Sequence, residues 1–355
     1  MSLIDEARKV RPGEELDIAT VDAYLKKQLP DLQGMPEITQ FPGGASNLTY
    51  MLRYENRDLI LRRPPFGKKA KSAHDMVREA SIMQQLKPVY PVVPAVLALC
   101  QDESVMGCDF YVMERIVGVI PRQDFPEELL LSPQKTRELC QGFLDKLIEL
   151  HKVDIKAAGL DSLGKGEGYI TRQISGWSER FRNARTPDVN DFEEVIAWLD
   201  AKKPEKEIAI TLIHNDWRLD NVVLDAQDPA KVIGVLDWEM ATLGDPLMEL
   251  GCVLTYWIQS DDDPVLQGMR RQPSNAAGMM TRDEVVSYYL SKTGYKVQSI
   301  DFYYIYGIFR LAVIAQQIWY RYYNKQTDNP AFAQFGFMVN YLEQRCLNLI
   351  KASKI

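Results

Sequence analysis

The stretch that decides the fold is residues 212–221, LIHNDWRLDN, because it joins the end of an apolar run to a spaced set of polar side chains. Asp216 follows the apolar run, and Asn221 lies five positions further along the chain. A second apolar run, residues 232–236, leads directly into Asp237. Short apolar runs bounded by polar turn residues predict β-strands, so both aspartates are expected at strand ends.

Phosphoryl transfer is the chemistry that this set of side chains fits. It needs a carboxylate that orients the acceptor hydroxyl and accepts its proton, and oxygen ligands for a Mg²⁺ ion that bridges the phosphates. Asp216, Asn221 and Asp237 supply these groups in the pattern H-x-D-x-x-x-x-N, followed by a second aspartate at the end of another strand. A lone His-x-Asp carries no information, but the combination is specific. The alternative is that the aspartates only cap turns and that Asn221 is a turn residue.

Composition excludes several other classes of protein. The chain has 355 residues, 46% of them apolar, which favours one large domain with two lobes, or two domains. Its net charge of −7 argues against binding to nucleic acid or to a membrane surface. The five scattered cysteines, without a C-x-x-C motif, predict reduced and buried thiols. No apolar stretch suits a membrane span or a secretion signal, so we expect a soluble, cytoplasmic protein.

Apolar periodicity divides the chain into a β-rich first part and a helical second part. Strands are predicted at 38–41, 48–54, 59–61, 96–100 and 110–113, and a helix at 74–86. Later helices are predicted at 133–151, 171–183, 192–201, 246–258, 282–290, 300–323 and 331–350. Among them lie three short strands, at 210–213, 222–224 and 232–236. We therefore expect an α+β fold with a β-rich N-terminal lobe, residues 1–115, and a mainly helical C-terminal lobe, residues 116–355.

These residues resemble the aminoglycoside phosphotransferase-like, or choline-kinase-like, small-molecule kinases, whose catalytic segment reads H-G-D-x-x-x-x-N followed by D-x-D/E. Within them the chain looks most like the kinase domain fused to some acyl-CoA dehydrogenases. The supporting segments are FPGGASN (41–47), LRRPP (61–65), FYVME (110–114), RLDN (218–221), VLDWE (235–239) and GDP (244–246). The resemblance spans about residues 39–257 and implies a two-lobed, protein-kinase-like fold. The remaining residues are too few for a dehydrogenase domain, so a stand-alone kinase is expected.

The resemblance assigns roles around the deciding stretch. Asp216 is expected to be the catalytic base or hydroxyl positioner, and Asn221 and Asp237 are expected to hold Mg²⁺. His214 is expected to brace the loop rather than to transfer protons, because phosphoryl transfer leaves little acid–base work for it. Asn215 departs from the family, which usually has glycine there. Asparagine is the side chain that best tolerates a left-handed backbone, so the loop is expected to survive.

A second group of residues is expected to contact the phosphates of the nucleotide. The glycine-containing turn that ends in Ser46 and Asn47 is expected to cover them with backbone N–H groups and the Ser46 hydroxyl, although a plain hairpin turn is an equal alternative. Arg62 stands where the kinase fold usually has lysine, and it can clamp phosphate oxygens. Its expected partner is Glu79, on the helix at 74–86; an exposed surface glutamate is the alternative.

The adenine-binding hinge is expected directly after the strand at 110–113. By the resemblance, the backbone carbonyl of Glu114 and the N–H of Ile116 bind the base, and Met113 lines the pocket. Side-chain identity matters little at these positions, because the backbone makes the contacts.

The sequence thus predicts an ATP- and Mg²⁺-dependent kinase, a transferase that phosphorylates a hydroxyl group of a small molecule. The acceptor stays open: an acidic pocket lined by residues 261–263 would suit aminoglycosides or choline, whereas the acyl-CoA-dehydrogenase likeness suggests a hydroxyacyl-CoA or hydroxy acid. A pseudokinase-type nucleotide-binding module that partners acyl-CoA metabolism is the alternative, favoured only by the missing lysine. A protein kinase is disfavoured, because no long activation segment ends in A-P-E. The choice between ATP and GTP and the oligomeric state stay open.

Overall fold

The N-terminal part of the chain forms a five-stranded antiparallel sheet. A computed structural model describes residues 5–42, 47–67 and 75–355, and statements about the structure concern these residues. The spatial order of the strands is β1-β2-β3-β5-β4. Their bounds are β1 Glu37–Gln40, β2 Leu48–Arg53, β3 Asp58–Arg63, β4 Val96–Cys100 and β5 Phe110–Glu114. All five predicted strands are therefore present, to within three residues at each end.

One face of this sheet packs on the hydrophobic core, and the other lines a cavity. Alternate residues of a strand point to opposite faces. In β3, Leu59 and Leu61 belong to the hydrophobic core beneath the sheet, whereas Ile60 and Arg62 face a cavity. This period of two places a charged residue of a largely buried strand on the cavity side, where it is available for binding.

Three helices accompany the sheet: α1 (Ile18–Gln28), α2 (Met76–Leu86) and α3 (Glu103–Met106). The sequence analysis did not predict α1, which begins at the N-cap Asp17 and buries Val21 and Leu25 in the core beneath the sheet. Helix α2 begins after Asp75, whose side chain accepts a hydrogen bond from the N–H of Arg78.

The remaining elements are mostly helical. The helices are α4 Pro133–His151, α5 Tyr169–Asn183, α6 Glu193–Lys202, α7 Pro246–Tyr256, α8 Pro264–Met269, α9 Arg282–Thr293, α10 Asp301–Tyr323 and α11 Phe335–Ala352. The predicted helices are thus present, but α11 begins four residues later than expected and α8 was not predicted. Helix α8 is short and begins at the N-cap Asp263, followed by Pro264.

Four short strands form two separate antiparallel pairs. Strand β6 (Thr211–Ile213) pairs with β9 (Thr242–Gly244), and β7 (Val222–Leu224) pairs with β8 (Val232–Val235). The sequence analysis predicted three of these strands and missed β9. A strand of three residues gives almost no periodic signal, so only its pairing with β6 identifies it.

The chain forms two compact units, each assembled from separated segments. Unit 1 comprises Met1–Phe143, Lys156–Leu160 and Leu219–Ala241, and unit 2 comprises Leu144–Ile155, Asp161–Arg218 and Thr242–Ile355. The deciding stretch at 212–221 contributes to both units. The lobe boundary expected after residue 115 stays a prediction.

Two of the expected properties concern cysteines and membranes. All five cysteines are buried and free, which confirms the prediction of thiols without disulfides. Across the described ranges, no helix has both the length and the apolar character that a membrane crossing requires.

Within unit 2, α7 and α10 touch through their backbones at a pair of glycines. A Cβ atom added at Gly307 would lie 2.3 Å from the carbonyl oxygen of Gly251 and 2.4 Å from the hydroxyl oxygen of Thr255. A Cβ atom at Gly251 would lie 2.0 Å from the carbonyl oxygen of Tyr303. Real Cβ atoms do not approach so closely, so this contact requires glycine on both helices.

We therefore expect Gly307→Ala to destabilise the protein by at least 1–3 kcal/mol, roughly the range for overpacked cores. The matched control is Gly268→Ala in α8, where an added Cβ meets no atom within 4 Å. Because alanine is the better helix former, Gly268→Ala should be neutral or stabilising by up to about 1 kcal/mol. Urea denaturation measures both, and equal midpoints for Gly307→Ala and the wild type would contradict the proposed close contact.

Candidate functional site

Unit 1 contains a cavity of about 180 Å³ whose wall carries most of the residues predicted to bind a nucleotide and a metal ion. These residues are Asn47, Arg62, Met113, Glu114, Ile116, Asn221 and Asp237. Of the other predicted site residues, Glu79 contacts Arg62, Asp216 belongs to unit 2, and Ser46 lies outside the described residues. Residues far apart in the chain are thus brought to one cavity, while their roles stay predictions.

Arg62 is the central cation of this cavity. Its Nη1 atom lies 3.2 Å from Oε1 of Glu79, and its Nη2 atom lies 3.1 Å from Oδ1 of Asp237. Arg62 is only 8% exposed, and its two partners come from α2 and from the loop after β8. One planar guanidinium therefore joins three separate elements, which a lysine ammonium would do with less defined geometry.

Glu79 is the most buried charged partner in the cluster, with 1% of its surface exposed. Burial raises the pKa of its carboxyl group to about 7, although the neighbouring Arg62 cation opposes this rise. The expectation of a pairing with Arg62 is thus met geometrically, and the alternative of an exposed surface glutamate is wrong.

The β7–β8 hairpin explains why Asn221 and Asp237 meet. Asn221 immediately precedes β7, and Asp237 follows β8 by two residues. The strands are antiparallel with Val222 opposite Val235, and the N–H of Leu236 donates to the carbonyl oxygen of Asn221 at 2.8 Å. This pairing brings an amide oxygen and a carboxylate to one end of the hairpin, a donor set that suits Mg²⁺ bound partly through phosphates.

The loop after Asp237 is held by two further contacts that involve Glu239. Arg78, next to Glu79 on α2, donates from Nη1 to the carbonyl oxygen of Glu239 at 3.0 Å, and from Nη2 to the carbonyl oxygen of Ala241. Asn47 donates from Nδ2 to Oε2 of Glu239 at 2.7 Å. The sequence analysis missed Arg78, because a helical arginine gives no local sign of such a distant contact.

The side chain of Glu114, the residue expected at the hinge, makes structural contacts. Its Oε1 atom accepts hydrogen bonds from Nζ of Lys87 at 2.7 Å and from the N–H of Ala95 at 2.8 Å. These bonds fix the end of β5, where Met113, Glu114 and Ile116 reach the cavity wall. A fixed strand end gives the hinge backbone a defined orientation.

In unit 2 the loop before Asp216 has an unusual backbone that is clamped from several sides. Asn215 has φ of 67°, the left-handed conformation expected where the family has glycine. Its N–H donates to Oε1 of Glu249 at 2.5 Å, and its carbonyl oxygen accepts from Nη2 of Arg310 at 3.0 Å. The hydroxyl of Tyr169 donates to its side-chain oxygen at 3.3 Å. Three helices therefore hold this single residue.

Glu249 extends the clamp into the interior of unit 2. Its Oε2 atom accepts from the N–H of His214 at 3.2 Å and lies 2.7 Å from Nε2 of His151. The other nitrogen of His151 lies 2.6 Å from the hydroxyl of Tyr289. His151 thus belongs to a buried polar network that supports the loop.

The expected catalytic residue Asp216 lies directly after this clamp. Its N–H donates to Nδ1 of His214 at 3.3 Å, so the histidine ring braces the loop as expected. Its Oδ2 atom lies 3.3 Å from Nη2 of Arg218, whose guanidinium lies over the ring of Tyr256. A fixed backbone and a neighbouring cation together orient the Asp216 carboxylate.

Asp245 is the N-cap of α7. Its carboxylate accepts from the N–H of Leu247 at 2.7 Å and from the N–H of Ile208 at 2.7 Å. Burial raises its pKa to about 6, while these backbone bonds oppose the rise. Since α7 also carries Glu249, this cap helps to fix the support of the catalytic loop.

The combination of an antiparallel sheet bearing a buried cation, an opposing Asn–Asp pair and a clamped aspartate loop defines a kinase-like phosphotransferase. A family model described as the phosphotransferase enzyme family (APH) matches residues 37–284, more than half of the chain. The chain belongs to this phosphotransferase family. The resemblance inferred from the sequence is thereby confirmed.

The curated relatives include Acyl-CoA dehydrogenase family member 10 of Mus musculus, which is 34% identical over 336 residues. The alignment covers 94% of this chain and 31% of that protein. The chain thus spans about a third of the length of this relative. The expected likeness to proteins named as acyl-CoA dehydrogenases is confirmed.

Solved structures confirm the expected fold class. A candidate aminoglycoside phosphotransferase from Ralstonia eutropha JMP134 gives a TM-score of 0.82 at 26% identity, over 96% of this chain and 100% of that chain. The GDP complex of wild-type aminoglycoside 2′-phosphotransferase-IIIa gives 0.59 at 14% identity, over 94% and 99% of the two chains. The second similarity concerns the fold alone.

Arg62→Met should destabilise unit 1, because it leaves the Glu79 carboxylate buried without a cation. Removal of one partner of a buried pair costs roughly 3–5 kcal/mol. The loss of folding stability should be larger at pH 8 than at pH 5. At pH 5 Glu79, whose pKa is already raised in the folded protein, is protonated in the folded variant and carries no unpaired charge. Urea denaturation at the two pH values measures this.

The matched control is Arg57→Met, which removes an ion pair with Asp31 whose carboxylate is largely exposed. That change should cost at most about 1 kcal/mol at either pH. The double variant Arg62→Met/Glu79→Met should recover much of the stability lost in Arg62→Met. A loss that is equal at both pH values would contradict the role given to Glu79.

Proposed function

We propose that this phosphotransferase transfers the γ-phosphoryl group of ATP, with Mg²⁺, to a hydroxyl group of a small molecule. The observation that carries the proposal is the bridge that Arg62 makes to Glu79 and Asp237 in a cavity also lined by Asn221. Phosphoryl transfer is catalysed mainly by positioning and by charges that meet the transferred group. The cavity supplies a permanent cation and two oxygen ligands for this purpose.

The nucleotide is proposed to bind with its base at the hinge and its phosphates near Arg62. In this arrangement the backbone carbonyl of Glu114 and the N–H of Ile116 bind adenine, and Met113 packs against it. Ser46 and Asn47 are proposed to contact the phosphates. The GDP found in aminoglycoside 2′-phosphotransferase-IIIa supports a nucleotide in a protein of this fold and keeps GTP as a possible donor.

Asn221 and Asp237 are proposed to hold Mg²⁺, which neutralises charge on the phosphates. Their donor set, one amide oxygen and one carboxylate, leaves the remaining ligand positions to phosphate oxygens and water, as Mg²⁺ sites commonly do. Asp216 is proposed to orient the acceptor hydroxyl and to accept its proton.

The acceptor is proposed to be a hydroxy acid or a hydroxyacyl-CoA. The acidic run at 261–263 is used locally, since Asp262 pairs with Arg282 and Asp263 caps α8, which disfavours a polycationic acceptor. Arg218 lies beside Asp216, and its positive charge suits an anion better than a cation. The name of the relative, Acyl-CoA dehydrogenase family member 10, supports an acyl-CoA connection.

The alternative of a nucleotide-binding module without turnover rested on the missing lysine. Arg62 makes the expected contact with Glu79 on α2, and it also pairs with Asp237 of the proposed metal loop. The absence of lysine therefore gives little support to a pseudokinase.

Asp216→Asn should leave nucleotide affinity nearly unchanged and lower turnover by about two to four orders of magnitude, because the acceptor hydroxyl loses its proton acceptor. The protein is incubated with Mg²⁺, ATP or GTP, and a panel of hydroxy acids, hydroxyacyl-CoAs, choline and aminoglycosides. Mass spectrometry then detects phosphorylated products. A phosphorylated hydroxy acid or hydroxyacyl-CoA formed by the wild type alone is expected, and near-wild-type turnover by Asp216→Asn would remove Asp216 from its role.

Asp237→Ala should abolish the Mg²⁺-dependent part of nucleotide binding, because it removes the only carboxylate of the proposed ligand pair. Isothermal titration calorimetry with ATP, with and without Mg²⁺, measures this part directly. The matched control is Asp225→Ala, which alters the turn of the same β7–β8 hairpin, where Asp225 accepts from the N–H of Gln227. Unchanged metal dependence in Asp237→Ala would contradict the metal assignment.

A further inference from the structure

The segment that precedes α1 is attached along the free edge of the five-stranded sheet. Arg8 and Gln40 exchange two backbone hydrogen bonds, of 2.8 and 2.7 Å. The N–H of Arg11 donates to the side-chain oxygen of Gln40 at 2.9 Å, and the hydroxyl of Tyr50 donates to the carbonyl oxygen of Glu14 at 2.7 Å. These bonds fix the path of a segment that has little regular structure.

At the start of the described chain this segment reaches the cavity of unit 1, where Asp5 forms part of the wall. Oδ2 of Asp5 lies 2.8 Å from Nη2 of Arg122, and the Asp5 carbonyl oxygen accepts from Nη2 of Arg115 at 3.2 Å. Arg115 also pairs with Asp58 of β3. Both arginines line the same cavity, just after the hinge. Arg122 therefore holds the Asp5 carboxylate at the wall, and Arg115 holds the Asp5 backbone there.

A carboxylate in this position selects a particular part of a nucleotide. An ionised carboxylate only accepts hydrogen bonds, so its partner must be a donor. Phosphate oxygens are not donors, and the amino group of adenine is taken by the Glu114 carbonyl in the proposed binding mode. Besides the second hydrogen of the adenine amino group, the donors that remain on ATP are the two ribose hydroxyls, which the test below isolates.

We propose that Asp5 accepts hydrogen bonds from the ribose hydroxyls of the bound nucleotide, that Arg122 positions its carboxylate, and that Arg115 holds its backbone. The N-terminal segment then completes a binding site whose other residues come from the sheet and the β7–β8 hairpin. This inference rests on the proposed nucleotide-binding function of the cavity, and it adds a residue distant in sequence from the kinase motifs.

The test compares the Kd values of ATP and 2′,3′-dideoxy-ATP, measured with Mg²⁺ by calorimetry on the full chain. Asp5→Ala should weaken ATP binding by about 10-fold or more, the effect of losing a hydrogen bond to a charged group. It should leave the affinity for dideoxy-ATP within about twofold of the wild type, since that nucleotide lacks the donors. Arg122→Met should show the same selectivity with a smaller loss.

The matched control is Asp31→Ala, which removes another acidic residue of unit 1 that pairs with an arginine but does not line the cavity. It should bind both nucleotides as the wild type does. If the wild type binds ATP and Asp5→Ala binds it equally well, or loses affinity for both nucleotides alike, the ribose assignment is wrong and the proposed function stands. If the wild type binds neither ATP nor GTP, the proposed function fails and this inference fails with it.

Discussion

The ion-pair bridge of Arg62 to Glu79 and Asp237 is the interaction on which the arrangement of unit 1 depends. A buried charge is tolerated only when it is paired, because its transfer from water is otherwise strongly unfavourable. Arg62 and Glu79 are both buried, so neither α2 nor β3 can shift without leaving a charge unmatched. The second arm of the guanidinium extends this constraint to the loop that carries Asp237. A single side chain thus sets the distance between the strand, the helix and the proposed metal loop.

A comparable constraint operates in unit 2, where the fixed element is a backbone rather than a charge. A left-handed conformation at a residue other than glycine is uncommon and must be held by its surroundings. Glu249 and Arg310 bind the N–H and the carbonyl oxygen of Asn215, and they come from α7 and α10, the helices that touch through Gly251 and Gly307. The close contact between α7 and α10 therefore holds Glu249 and Arg310 in place, and these two side chains hold the backbone of Asn215.

Sequence reasoning predicted the parts of this structure that depend on local pattern. The apolar run at 59–61 predicted β3, the spacing of Asp216, Asn221 and Asp237 predicted their family, and the replacement of glycine by Asn215 predicted a left-handed backbone. The parts that it missed depend on contacts between distant residues. Arg78 contacts a loop more than 150 residues away, and Asp5 reaches the cavity only because the segment behind it follows a sheet edge. Neither residue carries a motif, so only the folded chain reveals them.

The exchange of the usual lysine for Arg62 has a further consequence under the proposed function. A guanidinium offers a rigid fork of donors, and here two of its arms are directed at carboxylates. Glu79 is buried and has no access to a metal, whereas Asp237 is one-third exposed and is a proposed Mg²⁺ ligand. If Asp237 held Mg²⁺, the metal would balance its charge, and the arm of Arg62 that pairs with Asp237 would be available to bind the phosphates. The guanidinium of Arg62 would thereby link metal binding to phosphate binding. A lysine at this position, with its one ammonium group paired with Glu79, would provide this link less directly.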